Sequence, residues 1–219
     1  MIIIIITDTR EKDYIDGLVI SDGSIRLPKR NKNPTYCQKM ALRYKEWGDK
    51  IVDNLNLFGY SSRLCESVRK AHTIKGYYYP DTKVIECYTK TNSKLHYYRE
   101  RWYEDGSKVI PKDINMSDQF LANWYMGDGS VHIQKSTVKN KQYKYWYITL
   151  CVNSFNKEDV EFLREKLVEL GYYFTISNCK DGFRLHLCRQ KDVMKFLENT
   201  HKYSVCCFGY KWRPLNDHL

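Results

Sequence analysis

The sequence predicts an α+β fold built twice in one chain, and three observations carry that reading. Residues 15–24 read IDGLVISDGS and residues 121–130 read LANWYMGDGS, two apolar runs of helical character that each end in Asp, Gly and Ser. A second marker recurs at nearly the same offset. Lys108-Val109-Ile110-Pro111 is answered by Lys211-Trp212-Arg213-Pro214, the lysines 103 apart (211 − 108) and the motif aspartates 106 apart (128 − 22). Between the markers both halves pass through the same patterns, in the order α-β-β-α-β-β-α. The boundaries expected from this are a first repeat over 1–103, a polar connector over 104–116 and a second repeat over 117–219.

The elements follow in order. After each motif helix an alternation of apolar and polar residues gives a strand, Ile25 and Leu27 around Arg26 in the first half and Val131 and Ile133 around His132 in the second. A second strand is expected at about 36–43 and again at 143–153, where Ile148, Leu150 and Val152 share a face. Then comes a helix: Val160, Leu163, Leu167 and Leu170 recur at helical spacing and Gly171 ends the run. Phe174 and Ile176, then Phe183, Leu185 and Leu187, flank Asp181-Gly182, a hairpin signal. A last helix is expected over about 191–199.

Charge points to the partner. With 36 Lys and Arg against 26 Asp and Glu, the chain carries +10, which favours an anionic surface. With 42% apolar residues, the chain can bury a core, which excludes general disorder. The apolar opening Met1 to Ile6 is far short of the roughly 18 residues of a membrane span and lacks a basic flank, so a soluble, unexported protein is expected. That opening is an edge strand or a plug against the core, with plug preferred, and the last four residues are expected to fray. Eight cysteines, Cys37, Cys65, Cys87, Cys151, Cys179, Cys188, Cys206 and Cys207, include no CxxC pair. Free thiols in a reducing compartment are the favoured reading, with a zinc site near Cys179, His186 and Cys188 as the alternative. Nineteen tyrosines suit a half-buried sheet or a polar interface.

The motif ends carry the chemistry. Asp22 and Asp128 each fall in the last turn of a helix, where the dipole is negative and an exposed carboxylate costs about 0.3 to 1 kcal/mol unless a cation offsets it. Two such placements suggest a bound divalent metal, and oxygen donors completed by water and phosphate are what Mg²⁺ favours. Gly17 and Ser21 on the first helix, and Asn123 and Gly127 on the second, are small or slender residues four apart that let helices approach closely. Paired in that way, the helices would bring both carboxylates out at one end.

The segments IDGLVISDG and LANWYMGDG resemble the signature helices of the LAGLIDADG homing endonucleases, of the single-chain, two-motif kind. GSKVIPKDI before the second motif and VNSFNKEDVEFL after its second strand are also similar, and the likeness covers almost the whole chain. The second motif departs from the family pattern at Asn123 and at the bulky Trp124.

This resemblance implies two α-β-β-α-β-β-α repeats related by pseudo-twofold symmetry, with paired central motif helices and two saddle-shaped antiparallel sheets that straddle duplex DNA. It implies a monomer that makes a metal-dependent double-strand break with short 3′ overhangs, Mg²⁺ being the cofactor and Mn²⁺ able to substitute. Asp22 and Asp128 would be the catalytic metal-binding acids and Ser21 and Gly127 would offer carbonyls to the metals. Lys108 and Lys211 would order water around the scissile phosphates. Such proteins work inside cells, in a bacterial or phage-infected cytoplasm or in an organelle. Two alternatives share the scaffold: an intron-encoded RNA maturase and a non-cleaving DNA-binding regulator. The first needs no acid pair, and the second would be expected to have lost one.

Strand parity then assigns a DNA-reading face. If Ile25, Leu27, Val131 and Ile133 point to the helices, the other face presents Ser24, Arg26 and Arg30 in one half and Ser130, His132 and Gln134 in the other. The second strands add Lys39 and Arg43, then Tyr143, Tyr145, Tyr147, Thr149 and Asn153. Later strands add Arg69, Arg184 and His186. A ten-residue strand is about 33 Å long, close to ten base pairs, so two sheets in tandem would read about 20 base pairs.

Overall fold

A computed structural model describes residues 8–74, 76–138 and 141–216. The expectations for the apolar opening and for the last three residues lie outside the described residues. The elements run α1 (Thr9–Val19), β1 (Ser24–Arg26), β2 (Thr35–Ala41), α2 (Lys45–Leu57), β3 (Ser62–Arg69), β4 (His72–Ile74), β5 (Tyr77–Tyr79), β6 (Thr82–Thr89) and α3 (Leu95–Trp102). A hairpin of β7 (Tyr103–Glu104) and β8 (Ser107–Lys108) follows. The rest is α4 (Asp118–Asp128), β9 (Gly129–Val138), β10 (Lys141–Cys151), α5 (Lys157–Glu169), β11 (Thr175–Cys179), β12 (Gly182–Leu187) and α6 (Gln190–His201), closed by 3-10 turns at Cys206–Lys211 and Arg213–Leu215.

The fold is α+β with two four-stranded antiparallel sheets, ordered β1-β2-β6-β3 and β9-β10-β12-β11. These are the same order: motif strand at one edge, its partner, then the strand that precedes the last helix of the repeat and, at the far edge, the strand that follows its middle helix. Two compact units divide the chain. The first holds Asp22–Glu100 with Val205–Cys207; the second holds the stretch ending at Ser21, Arg101–Ser204 and the residues from Phe208 onward. Among the described residues no helix is long and apolar enough to cross a membrane.

Each unit has its own core. In the first, Trp47, Ile51 and Leu55 of α2 are buried with Tyr36, Met40, Ile85 and Cys87 of the sheet. A Cβ at Gly48 would lie 2.9 Å from Leu64 Cδ1, so glycine there sets how closely α2 rides on the strands. In the second, Trp146, Ile148, Leu150, Leu185 and Leu187 are buried with Val193, Phe196 and Leu197 of α6. Tyr125, Phe196 and Trp212 meet edge to face, with ring centroids 5.4 and 5.1 Å apart.

The helix over 157–169 has the predicted start and stop. Asn156 Oδ1 accepts from Asp159 N at 2.8 Å, and Gly171 has φ +82°, the left-handed cap position. Val160, Leu163 and Leu167 are fully buried, but Leu170 is 41% exposed, because it sits past the helix end rather than on its stripe. The hairpin near residue 181 forms one residue early: Cys179 pairs with Gly182, so its loop is Lys180 and Asp181. The connector is more ordered than its polarity suggested. Asp105 and Gly106, with φ of 47° and 81°, make the two-residue turn that joins β7 to β8.

Candidate active site and nucleic-acid interface

The motif helices pack against each other within the second unit. A Cβ on Gly17 would lie 2.8 Å from both Cα and O of Phe120, so backbone meets backbone there and only glycine fits. Asn123, where the first motif has Gly17, does not loosen the pair. Its Nδ2 donates to Tyr14 O across the interface at 3.2 Å, while Trp124 is fully buried and meets Phe120 edge to face.

Both helix ends are closed by a lysine. Lys108 Nζ donates to Val19 O at 2.7 Å and Ser21 O at 2.9 Å. Lys211 Nζ donates to Tyr125 O at 2.9 Å and to Met126 O and Gly129 O at 2.7 Å. Val19 and Tyr125 each stand three residues before the motif aspartate (22 − 19 and 128 − 125), so the repeat preserves this contact. Helix-terminal carbonyls lack intrahelical partners and carry the negative pole of the dipole. An ammonium among them removes the penalty that the sequence assigned to Asp22 and Asp128. The two lysines differ in environment: Lys211 is 4% exposed with its three donors on carbonyls, whereas Lys108 is half-buried.

Asp128 is the last residue of α4 and half-buried, as the motif predicted for both acids, but α1 ends at Val19, so Asp22 lies exposed in the turn beyond the helix and not in its last turn. Asp22 opens the first unit and Asp128 belongs to the second. The charge of Asp128 helps raise the pKa of the Cys151 thiol on β10, after burial, the larger cause. Gly129 is needed for space rather than for a left-handed turn: its Cβ would meet Tyr125 Cδ2 at 2.1 Å and Tyr125 O at 2.5 Å. The donors at these ends are carboxylate and carbonyl oxygens, and among the described residues no group of three or more His, Cys, Asp or Glu is placed to hold a metal. Such a set fits a hard cation that takes its remaining ligands from water or phosphate, not zinc. The cysteines are free thiols.

The second sheet presents the face that parity assigned. Opposed pairs Tyr143–Ser136, Tyr145–Gln134, Tyr147–His132 and Thr149–Ser130 run along β9 and β10. On the other side Thr149 is opposed by His186 and Cys151 by Arg184, and Thr149, expected to be exposed, is buried, its hydroxyl held by His186. His132 stacks on Tyr147 at 4.9 Å and shares a hydrogen bond with Ser130 Oγ at 2.8 Å. His186 is held at both ring nitrogens, by Thr149 Oγ1 at 3.0 Å and Ser177 Oγ at 2.8 Å. Burial first, and then the charge of Arg184, lowers the pKa of both histidines; Arg213 adds to this at His132. Asn153 does not belong to this face, because β10 ends at Cys151 and Asn153 lies in the turn beyond it.

In the first sheet the face is only partly as expected. Ser24 and Arg26 oppose Cys37 and Thr35, and Lys39 opposes Glu86 with an ion pair of 3.8 Å. Leu27, expected toward the helices, is 44% exposed. The strand stops at Arg26 because Pro28 restricts the residue before it and has no N–H to give. Arg30 therefore lies in a turn outside the strand. Arg43 is likewise off the strand, in the 3-10 turn Leu42–Tyr44, with its guanidinium over the Tyr44 ring at 4.9 Å.

Beside Arg69, which was expected, register adds residues that the sequence alone did not single out. Arg63, Cys65, Ser67 and Arg69 of β3 oppose Tyr88, Glu86, Val84 and Thr82, which places Arg63, Cys65 and Tyr88 on the same face as Ser24 and Lys39. Arg63 lies over the Tyr88 ring at 4.7 Å, beside an open cavity of about 670 Å³ lined by Arg26, Lys29, Cys37, Cys65, Glu86 and Tyr88. Alternation within 62–69 was the available signal. Also missed was the anchor of the first motif helix. Asp16, fully buried, takes Arg101 Nη1 and Nη2 at 2.9 and 3.0 Å and Trp102 Nε1 at 2.6 Å, and Arg101 also holds Asp113 at 2.6 Å.

Comparison with known proteins decides the family. The profile of the LAGLIDADG DNA endonuclease family matches residues 12–196. The chain belongs to the LAGLIDADG DNA endonuclease family. An uncharacterized protein of Methanocaldococcus jannaschii is 29% identical to this LAGLIDADG protein over 213 residues, 94% of this chain and 75% of its own. The homing endonuclease I-WcaI, bound to its DNA recognition sequence, superposes with a TM-score of 0.72 at 22% identity, over 92% of this chain and 84% of its own. I-SmaMI, bound to uncleaved DNA target in the presence of calcium ions, gives 0.55 at 10% identity, over 94% and 92%. At these identities the two structures establish a shared fold.

Proposed function

We propose that this chain is a monomeric, site-specific homing endonuclease. It makes a double-strand break with short 3′ overhangs in an asymmetric DNA target of about 20 base pairs, with Mg²⁺ as cofactor and Mn²⁺ able to replace it. The observation that supports the reading is the duplicated motif end: Asp128 on the last residue of α4 and Asp22 in the turn just past α1, each with a lysine bound to carbonyls of the same helix end. The repeats over 1–103 and 117–219, joined by the connector over 104–116, then correspond to two half-sites of unlike sequence.

Charge dictates the division of labour. A phosphodiester repels an anionic nucleophile, so its cleavage needs positive charge at the phosphate. Asp22 or Asp128, with the Ser21 or Gly127 carbonyl, would hold a divalent cation, which would supply that charge and lower the pKa of water. Ser21 O accepts from Lys108 and retains a second lone pair, as a carbonyl can. Lys108 and Lys211 hold fixed positive charge beside the acids and keep the last turn of each helix in place, which fixes where each carboxylate stands. Asp128 acts from the second repeat and Asp22 from the first, one for each strand of the duplex. The basic, tyrosine-rich sheet faces bind backbone and base edges, Ser24, Arg26, Lys39 and Arg69 in one half and Ser130, His132, Gln134, the three tyrosines, Arg184 and His186 in the other, with buried Thr149 orienting His186.

The test is mutational. Asp22→Asn and Asp128→Asn should each abolish double-strand cleavage in Mg²⁺ while DNA binding persists, measured on an intronless copy of the host gene and by mobility shift. Full cutting by both variants would end the assignment.

A further inference from the structure

The two repeats share a sheet order but not a hairpin. Between β11 and β12 the chain turns in two residues, 180 and 181 (182 − 179 − 1). Between β3 and β6 it takes twelve, 70–81 (82 − 69 − 1), and folds them into the β4–β5 ribbon. His72 opposes Tyr79, Thr73 opposes Tyr78 and Ile74 opposes Tyr77. A two-stranded ribbon of this length is not stable by itself in water. Here its base is locked, since Asp81 accepts from Ala71 N at 2.7 Å and pairs with Lys70 at 3.4 Å.

What the ribbon displays is unlike the surface of a soluble sheet. Tyr77 and Tyr78 are 72% and 70% exposed, Ile74 51% and Tyr79 46%, and His72 stacks on Tyr79 at 5.3 Å. Alternation puts His72, Ile74, Tyr77 and Tyr79 on one side and Tyr78 on the other. Large apolar groups left in water in one place mark an interaction surface. The segment 68–83 also carries Arg69, Lys70, Lys75 and Lys83 against the single Asp81. Basic charge interleaved with tyrosine rings suits a polyanion: rings cover sugars and thymine methyls, hydroxyls donate to phosphate, and a two-stranded ribbon is of a width that the major groove admits. A second copy of this chain is disfavoured as occupant, because both surfaces would be basic.

We infer that the β4–β5 ribbon is a one-sided extension of the DNA-contacting face, gripping duplex beyond the half-site read by the first sheet. Arg69 opposes Thr82 and His72 opposes Tyr79, so the register of β3 and β6 carries on into the ribbon: Thr73 and Tyr78 share the side of Arg63, Ser67 and Arg69, while His72, Ile74, Tyr77 and Tyr79 line the other side of the same prolonged strand pair. The inference rests on the DNA-binding reading above and adds that the footprint is unequal about its centre. Three residues of strand span about 10 Å, so the added grip is about three base pairs on one flank.

The experiment uses the full chain. Tyr77→Ser/Tyr78→Ser/Tyr79→Ser, whose rings are outside the core, is compared with wild type on a 40-bp duplex and a 40-nucleotide single-stranded RNA, both of random sequence, by fluorescence anisotropy. The duplex affinity is expected to fall about fivefold or more, with RNA affinity and Tm unchanged. A second variant replaces residues 70–81 by Lys-Asp, the loop of the other repeat. On a target selected by cleavage, its hydroxyl-radical footprint should shorten on one flank only. Unchanged duplex affinity in the triple variant, or a footprint unchanged or shortened on both flanks, overturns the inference. A loss confined to RNA also overturns it and assigns the ribbon to RNA. If wild type fails to bind duplex at all, the fault lies instead with the DNA-binding reading.

Discussion

Gly17→Ala tests the helix pairing with the smallest possible change. The added Cβ would lie 2.8 Å from Cα and O of Phe120 and 3.1 Å from Asn123 Cβ. The first two are backbone atoms, which cannot rotate away, so reaching an ordinary 3.4 Å requires the helices to part by about 0.6 Å (3.4 − 2.8). Alanine in place of glycine would by itself favour the helix by about 1 kcal/mol. Overpacking costs about 1–3 kcal/mol, and against backbone atoms that cannot rotate away the upper end applies, so the expected net loss is roughly 2 kcal/mol. For a chain of this size that is a fall in Tm of about 4–8 °C. Thermal unfolding by circular dichroism reads it, with Gly209→Ala as the control, since nothing lies within 4 Å of a Cβ there. Cleavage should fall further than stability, because Asp128 ends α4 and Asp22 follows α1 by three residues, so both move with the helices. A variant as stable as wild type and cutting at the wild-type rate would refute the close approach.

Three other predictions follow from the same geometry. Lys211→Met removes three donors from buried carbonyls, which should cost about 3–5 kcal/mol in urea unfolding; a loss below about 1 kcal/mol would mean that those bonds are not made in solution. Arg101→Met leaves Asp16 buried beside an apolar group and should cost a similar amount, about 3–5 kcal/mol, partly recovered by adding Asp16→Asn; strict additivity of the two changes would argue against the pair. For His132 and His186 the signs differ between folding and binding. Both are held below the ordinary 6.5, so the unfolded chain binds more protons in that window and stability should fall as pH drops below about 6.5. Phosphates favour the charged rings, so duplex affinity should tighten from pH 7.5 to 6, and weakening over that range in an anisotropy titration would contradict the placement of these rings at DNA.

Much of the second repeat was legible in the sequence because its strands are long. Over β9 and β10 the period-two alternation continues past the point of ambiguity, and Ser130, His132, Gln134 and the three tyrosines fall where parity put them. The first repeat misled where proline and a 3-10 turn cut its strands short, at Leu27, Arg30 and Arg43. Asn153 failed for the same reason, a strand that ended two residues earlier than its pattern. The β4–β5 ribbon was invisible because three successive tyrosines have no period. The Asp16–Arg101 anchor was hidden differently: its partners are 85 residues apart (101 − 16), and no local pattern reports so distant a pairing. The placement of the two acids called for a cation near each, which the sequence reading met with a metal; that Lys108 and Lys211 would themselves be bound to the helix carbonyls had no local pattern to report it.

Those lysines have a consequence for how the protein is made. The second motif helix is complete by Asp128, yet the cation that closes it stands 83 positions later (211 − 128). A nascent chain that has emerged only as far as α6 carries both aspartates but leaves the carbonyls of Tyr125, Met126 and Gly129 to water. Products truncated before Lys211 would thus hold both motif aspartates without a finished second helix end.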